Sequence, residues 1–345
     1  MPEVREAVGL DPAAVTRWFG SLGVGFTAPL TFDRIGLGQS NLTFLVRDAE
    51  ERRWVLRRPP LGHLLASAHD VAREARIMAA LAETEVPVPR IFGVAQDPSV
   101  SEVPLVLMEF LDGQVVDTMP IVESLAPQRR RAIGVSLPPA LAKIHAVDLE
   151  ATGLTDLASH KPYAQRQLKR WSGQWEVSKT RELPELDDLT RRLAGEVPEQ
   201  SEIALVHGDF HLRNVIVSHE TGEVVGALDW ELSTLGDPLA DMGSMLAYWP
   251  EPGEDAVGDF PASTLAGFPT RAELARLYLA ETGRDAEALK FWHVLGLWKI
   301  AVIAEGVMRR ARENPQNRAA AGTPTAEQID ALVRRAREVA ADAGI

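Results

Sequence analysis

The chain has 345 residues, 46% of them hydrophobic and 25% charged, a composition that suits two domains or one large two-lobed unit. A formal net charge of −13 argues against nucleic acid as a general partner. The absence of cysteine excludes disulfides, thiol nucleophiles and cysteine-ligated zinc. No signal peptide is visible at the start, and the apolar stretch 291–303 is too short to span a bilayer. We therefore expect a cytoplasmic protein with no membrane partner.

The predicted elements change in character along the chain. In chain order they are a short helix opened by Asp11 and Pro12, strands over 42–47 and 53–58, a helix over 70–82, and strands near 90–94 and 105–110. After that the pattern is helical almost to the end, apart from a hairpin at 215–228. The sequence thus predicts an α+β, bilobal architecture, with a small β-rich N-lobe over 1–112 and a large helical C-lobe over 113–345.

The segment 207–214, His-Gly-Asp-Phe-His-Leu-Arg-Asn, carries the most informative chemistry, and we call it the HGD loop. A hairpin brings its two outer ends together, so Asn214 before the first strand should lie beside Asp229 after the second. Asp209 lies on the loop that leads to the same point. Carboxylate and amide oxygens suit Mg²⁺ that also holds phosphate oxygens, and an acid not used as a ligand can accept a proton from a hydroxyl.

The HGD loop resembles the catalytic loop of the aminoglycoside phosphotransferase and choline kinase group, in which it replaces the H-R-D-x₄-N loop of protein kinases. Asp229-Trp230 resembles the D-F-G position, and the segment 236–241 resembles the one that follows in the same family. The resemblance implies a protein-kinase-like fold and a small-molecule kinase that binds ATP and Mg²⁺ between its lobes. It implies Asp209 as the catalytic base and Asn214 and Asp229 as metal ligands. It further implies that Asp241 supports the loop.

The N-terminal half fits the same interpretation. Gly36 and Gly38, with Ser40, open the first strand pair where a phosphate-covering loop should lie, although Asn41 occupies the position of the family's third glycine. A dinucleotide-binding fingerprint is excluded, because this loop leads into a strand rather than a helix. An ordinary hairpin turn is the simpler reading of two glycines at this spacing.

The following strand and helix supply the other nucleotide-binding candidates. Strand alternation puts Val55 and Arg57 on one face, where Val55 would cover the adenine and Arg57 would reach the phosphates. Arginine stands where the family has lysine. Glu74, in the predicted helix, is placed to pair with Arg57, as the helix glutamate does in kinases. Backbone groups of Glu109 and Leu111 would meet the adenine edge.

The stretch 161–181 carries six basic residues against one acid in an otherwise acidic chain, with aromatic residues between them. This pattern fits either a helix with its bases in water or a surface that attracts an anionic, partly apolar substrate. The candidate substrate residues are Lys169, Arg170, Trp171 and Trp175. Within the family, the chain resembles the kinase-like domains associated with acyl-CoA dehydrogenases, on segments 38–43, 57–60, 170–175 and 304–310. That implies a hydroxyacyl-CoA or related organic acid as substrate and a functional link to such a dehydrogenase.

Three other interpretations stay open. A nucleotide-binding pseudokinase or scaffold would explain Arg57 and the missing third glycine. An aminoglycoside-type O-phosphotransferase would share the loop but act on cationic sugars. A metallohydrolase would use His207, Asp209 and His211 as ligands, although Gly208 disfavours the helix on which such a pair is normally found.

Overall fold

The computed structural model describes residues 9–36, 41–61, 70–254, 256, 260–313 and 322–345. Residue contacts divide the chain into two compact units. The first unit runs to Asp112 and also takes in Gly226–Glu231, whereas the second comprises Gly113–Val225 and Leu232–Ile345. Residues 226–231 therefore group with the first unit, although the sequence analysis assigned all of 113–345 to the C-lobe.

The first unit is built on a five-stranded antiparallel sheet of order β1-β2-β3-β5-β4. Its elements are α1 (Pro12–Ser21), β1 (Thr31–Ile35), β2 (Leu42–Arg47), β3 (Arg53–Arg58), α2 (Val71–Leu81), β4 (Ile91–Ala95) and β5 (Leu105–Glu109). Asp11 caps α1 and Asp70 caps α2, because each carboxylate accepts a hydrogen bond from a backbone N–H of the first turn. Phe19 of α1 packs edge-on against Trp54 of the sheet, with ring centroids 5.7 Å apart.

Alternation along β3 separates two sets of side chains. Trp54, Leu56 and Arg58 are buried on one face, while Val55 and Arg57 lie half-buried on the other. Arg58 donates to the backbone carbonyls of Gly9 and Pro59. The register predicted from the sequence is therefore correct.

The second unit is mainly helical. Its helices are α3 (Met119–Ser124), α4 (Pro127–His145), α5 (Tyr163–Ser178), α6 (Pro184–Gly195), α7 (Leu239–Ala247), α8 (Arg271–Thr282), α9 (Ala286–Glu313) and α10 (Ala326–Ala343). The short strands are β6 (Gln114–Val115), β7 (Ala204–Val206), β8 (Val215–Val217), β9 (Val224–Ala227) and β10 (Thr234–Gly236). They form a sheet of order β6-β8-β9 and an antiparallel pair of β7 with β10.

Helix α9 lies at the centre of the second unit, in contact with α5, α6, α7 and α10. Among the described residues it alone is long and apolar enough to cross a membrane, with a mean hydropathy of 1.4 in its most apolar window, but 78% of that window is buried inside the protein. It is a core helix. It touches α7 backbone to backbone, since a Cβ added at Gly243 would lie 2.3 Å from the carbonyl carbon of Trp292, and one at Gly296 would lie 2.8 Å from the Gly243 oxygen.

The predicted α+β, kinase-like fold is confirmed, with its β-rich N-terminal sheet and helical remainder. Strands β2 and β3 begin and end at the predicted residues, and α2 is one residue shorter than predicted at each end, because Asp70 and Ala82 are its caps. The sequence analysis did not predict β1, β6, β7 or β10. The last three have two or three residues each, too few to show a period of two.

Candidate active site

The HGD loop follows β7 and leads through a short 3₁₀ turn into β8. Gly208 has φ +85°, and a Cβ at this position would lie 2.6 Å from the backbone oxygen of Leu232. Only glycine meets both conditions, because a larger residue would be strained and would collide with backbone. This requirement explains the glycine that precedes Asp209.

Asp241, near the start of α7, fixes the backbone of the loop. Its carboxylate accepts hydrogen bonds from the N–H groups of His207 at 2.6 Å and Gly208 at 2.8 Å. The side chain of Asp241 is buried, which alone would raise the pKa of its carboxyl, but these bonds and His145 hold that pKa below its usual range. The implied supporting position of Asp241 thus matches the contacts that this residue makes.

A chain of buried side chains extends behind Asp241. Arg284 donates to the Tyr278 hydroxyl at 3.1 Å, so that hydroxyl can donate to Nδ1 of His145, 2.6 Å away. The other ring nitrogen, Nε2, lies 3.2 Å from Asp241 and carries the proton. Burial lowers the pKa of His145, which keeps the ring neutral in this arrangement.

Asp209 is partly buried, with 29% of its side chain exposed. Asn214 donates from Nδ2 to the Asp209 backbone oxygen at 2.9 Å and to Oδ2 at 3.0 Å, and His211 Nε2 lies 3.4 Å from Oδ2. Burial would raise the pKa of Asp209, but His211 and Lys299 outweigh it and hold this pKa well below its usual range. Asp209 is therefore an ionised carboxylate at neutral pH.

Lys299 approaches the same loop from α9. Its Nζ lies 3.4 Å from the Gly208 carbonyl oxygen and 5.6 Å from the centre of the Trp171 ring. Burial lowers the pKa of Lys299, although Asp209 and Asp241 favour its charged form. The sequence analysis named this lysine only as an interruption of an apolar stretch, because 90 residues separate it from Asp209 in the sequence.

In the first unit, Arg57 and Glu74 form the predicted ion pair, with Nη1 3.0 Å from Oε2. Asn41 donates from Nδ2 to the other oxygen of Glu74 at 3.1 Å and is itself buried. Arg57 Nη2 also lies 3.5 Å from Oδ1 of Asp229. Glu74 is thus held from both sides. The contact from Asn41, at the position of the family's third glycine, was not predicted.

The carboxylates of Glu74, Asp229 and Glu231 all lie within 4.8 Å of one another. Burial, together with the charges of Asp229 and Glu231, raises the pKa of Glu74 to about 7, although Arg57 opposes this. Oδ1 of Asp229 is buried and accepts no hydrogen bond. Asp229 also has φ +65°, a left-handed conformation that is rare outside glycine. A divalent cation fits this oxygen-rich, negatively charged cluster.

The other predicted nucleotide-binding residues fall as follows. Gly36 has φ +78° just after β1, while Gly38 and Ser40 lie outside the described residues. Val55 shares the half-buried face of β3 with Arg57. Glu109 ends β5 and its N–H donates to the Arg90 carbonyl at 2.8 Å, so this N–H is already engaged within the sheet. Leu111 follows β5 and is half-buried.

The four predicted substrate residues lie on α5, and the assignment of one of them is corrected. Trp175 is only 2% exposed and its indole donates to Asp187 at 2.8 Å, so it is a core residue and its assignment to the substrate is wrong. Lys169 and Arg170 are exposed. Arg170 lies over the half-buried Trp171 ring at 5.3 Å.

Three of the six basic residues in the stretch 161–181 form a hydrogen bond or an ion pair with another residue of the chain. Arg166 donates to the Leu235 carbonyl at 2.7 Å, Lys179 pairs with Glu176, and Arg181 pairs with Asp330. These three bases therefore stabilise the second unit. Lys161, Lys169 and Arg170 are the bases of the stretch that are exposed and have no ion pair within the described residues.

A hydrolytic metal centre finds no support. Across the described part of the chain, the only cluster of His, Asp or Glu close enough to hold a metal ion is Glu74, Asp229 and Glu231. The ring of His207 is fully buried and stacks edge-on against Phe210, with centroids 5.6 Å apart. His207, Asp209 and His211 do not converge on a common point as zinc ligands would.

The sequence profile named "Phosphotransferase enzyme family" matches residues 31–292. The chain belongs to the phosphotransferase enzyme family. Its members transfer phosphate to hydroxyl groups of small molecules, and the predicted enzyme class is confirmed at this level. The predicted catalytic loop and both ion-pair residues lie inside the matched range.

Relatives of this phosphotransferase agree with the resemblance predicted from the sequence. Acyl-CoA dehydrogenase family member 10 of Mus musculus is 36% identical over 344 residues, covering 98% of this chain but 32% of the mouse protein. The chain thus spans about a third of that relative's length. A crystal structure from Ralstonia eutropha, provisionally assigned as an aminoglycoside phosphotransferase, is 31% identical with a TM-score of 0.76, covering 97% of both chains.

A more distant structure shares the fold alone. An aminoglycoside phosphotransferase crystallised with AMP-PNP and hygromycin B is 16% identical, with a TM-score of 0.60 over 93% of this chain and 98% of its own. That protein binds an ATP analogue. For this chain, ATP as the cofactor and the residues that would bind it are a proposal.

Proposed function

We propose that the protein transfers the γ-phosphate of MgATP to a hydroxyl group of an anionic acyl substrate, a hydroxyacyl-CoA or a related hydroxy acid. The observation that carries the proposal is the state of Asp209, an ionised carboxylate held by Asn214 and His211 at the end of a fixed loop. Such a group can orient an attacking hydroxyl and accept its proton.

The contacts of Asp209 suggest how the proton is handled. Asn214 and His211 both approach Oδ2, which leaves Oδ1 to face the acceptor hydroxyl. A carboxylate with a depressed pKa is a weak base. It therefore works mainly by orienting the hydroxyl and takes the proton late, when the oxygen–phosphorus bond is already forming.

The nucleotide side of the proposal depends on the Arg57–Glu74 pair. Asn41 holds Glu74, and Glu74 fixes the direction of the Arg57 guanidinium, whose Nη2 also lies 3.5 Å from Asp229. A guanidinium held in this way would bind phosphate oxygens beside Asp229. Val55 would cover the adenine, and the backbone of Gly36, Gly38 and Ser40 would approach the phosphates. This geometry argues against a degraded pseudokinase, because the arginine makes the pairing expected of the usual lysine.

Asp229 and Asn214 are the proposed Mg²⁺ ligands. Because Asn214 donates through its amide nitrogen, its Oδ1 remains as the coordinating atom, and Asp229 offers an oxygen that accepts no hydrogen bond. When bound, the ion would neutralise the phosphate charge beside the carboxylates.

The proposed class of phosphate acceptor is inferred from the charges of exposed residues on α5. Lys169 and Arg170 are exposed on α5, and both Arg170 and the half-buried Lys299 lie within 6 Å of the centre of the Trp171 ring, at 5.3 and 5.6 Å. Anions gain from these cations, whereas a polycationic aminoglycoside would be repelled. The relationship to acyl-CoA dehydrogenase family proteins points in the same direction and suggests a functional link to such an enzyme.

The test is a ³¹P or coupled ATPase assay with MgATP and a panel of hydroxyacyl-CoAs, hydroxy acids and aminoglycosides. We expect phosphorylation of an anionic hydroxyl compound, lost by roughly 10²–10⁴-fold in Asp209→Asn with ATP binding retained. Efficient phosphorylation of an aminoglycoside would overturn the acceptor class. Wild-type turnover in Asp209→Asn would remove Asp209 from the mechanism.

A further inference from the structure

A cavity of about 100 Å³ lies in the second unit directly beside the HGD loop. His211 is part of its wall and also lies 3.4 Å from the Asp209 carboxylate, so the cavity begins one side chain away from the proposed base. Tyr248 stacks against His211 at the same end, with ring centroids 5.0 Å apart. A molecule whose hydroxyl reaches Asp209 can therefore extend into this space.

The wall of the cavity is mainly hydrocarbon and aromatic. Its described lining includes Leu212, Trp249, Phe260, Ala262, Ile300 and Leu332. Two polar side chains at the wall have partners: Ser263 donates to the Pro250 carbonyl at 2.7 Å, and Nη1 of Arg335 pairs with Glu254 at 2.9 Å. Nε and Nη2 of Arg335 are buried and have no hydrogen-bond partner among the described residues. Arg213 lies over the Phe260 ring at 5.5 Å.

The mainly apolar lining decides between possible occupants. A sugar ring would need several unpaired hydrogen-bond partners, and burying its hydroxyls against hydrocarbon would be unfavourable. An alkyl chain needs no hydrogen-bond partners, and its binding is favoured because apolar surface is removed from water. An apolar cavity of about 150 Å³ holds a benzene ring, so this one fits an arm of roughly four carbons.

We propose that this cavity, here called the alkyl pocket, holds the hydrocarbon arm of the phosphate acceptor and sets the chain length that the enzyme prefers. The inference rests on the proposed function, in which Asp209 receives the acceptor hydroxyl. The anionic head would then lie outside the pocket, and Lys169 and Arg170 are exposed cations of the same unit. Ile300 on α9 and Ala262 are buried lining residues at which the pocket can be enlarged or filled.

The experiment measures binding without turnover. Hydroxyacyl-CoAs with arms of two to eight carbons beyond the hydroxyl are titrated calorimetrically into the protein without ATP. We expect affinity to rise about fourfold for each added CH₂ and to level off near four carbons. Ala262→Leu should shorten the preferred arm by about one carbon or more, and Ile300→Ala should lengthen it by a similar amount.

Ile144→Ala is the matched control, since it is an equally buried large-to-small change on α4, outside the cavity. It should lower the melting temperature as Ile300→Ala does and leave the chain-length profile unchanged. Binding independent of arm length, or identical profiles in both pocket variants and the wild type, would overturn the alkyl pocket. A shifted profile with no phosphorylation of any probe by MgATP would uphold the pocket and refute the proposed function instead.

Discussion

Replacing Asp241 by asparagine tests whether the catalytic loop depends on this buried carboxylate. Asparagine keeps one carbonyl oxygen and turns the other oxygen into an NH₂ group, which would face the N–H of either His207 or Gly208. At least one charge-assisted hydrogen bond is lost, worth about 1.5–3 kcal/mol when the donor stays buried. For a unit of this size that predicts a fall in melting temperature of about 3–12 °C.

The same change should reduce catalysis more than nucleotide binding. A displaced loop moves Asp209, and a shift of about 1 Å at a reacting group can cost 10²-fold in rate. We therefore expect kcat to fall by up to about 10²-fold while the Kd of ATP is unchanged, measured by steady-state kinetics and calorimetry. A variant that melts within about 1 °C of the wild type and keeps its kcat would refute the supporting role of Asp241.

The pH dependence gives an independent check. The folded-state pKa of Asp241 is depressed, so its stabilisation is present above the unfolded value of 3.8 and is lost as the pH falls through the lower folded value. The difference in the free energy of unfolding between wild type and Asp241→Asn should thus be constant down to about pH 4 and become smaller below it.

Asp237→Asn is the control for this pH experiment. Burial raises the pKa of Asp237 to about 6, so its ionisation opposes folding at neutral pH, and the asparagine should be neutral or stabilising there.

Three further outcomes follow from other sites. Arg57→Ala should raise the Kd of ATP at least tenfold, whereas Arg58→Ala should lower the melting temperature and leave that Kd unchanged; equal losses of affinity would contradict the β3 register. Asp229→Ala should abolish Mg²⁺-dependent ATP binding in calorimetry, and unchanged MgATP affinity would favour a scaffold. Burial lowers the pKa of His293 to about 3, so wild-type stability should fall relative to His293→Leu as the pH drops below 6.5, by up to about 1.4 kcal/mol per pH unit; parallel curves in denaturant titrations would contradict this.

Local chemistry made much of the fold predictable. Asp11 caps α1 as predicted, Asp70 caps α2 at the residue where that helix was predicted to begin, and the hairpin that carries Asn214 at one end is present as β8 and β9. Strand alternation gave the face of Arg57, and the resemblance to kinases supplied Glu74 as its partner. For the cap, the hairpin and the strand face, a local pattern determines the structure within a few residues.

Long-range packing was not predictable in the same way. His145 of α4 contacts Asp241, and Lys299 of α9 contacts the HGD loop itself. Nothing in their own segments distinguishes these two residues from ordinary helix residues. Trp175 was misassigned because composition alone does not say which side of α5 faces the core. Its neighbour Trp171, four residues earlier, is half-buried beside Lys299, so one turn of helix separates a core tryptophan from one near the proposed base.

The backbone contact between α7 and α9 at Gly243 and Gly296 has a mechanical consequence for the HGD loop. Asp241 and Lys299, which both reach this loop, lie two and three residues from those glycines. With no side chain between the two helices, neither helix can move toward the other, and separating them would carry both contacts away from the loop together. A single methyl group added at Gly296 would push α7 and α9 apart. Although this group would touch neither nucleotide nor acceptor, it would displace the HGD loop and with it Asp209. Inactivating changes at this crossing would therefore resemble active-site mutations in kinetics while lying entirely within the hydrophobic core.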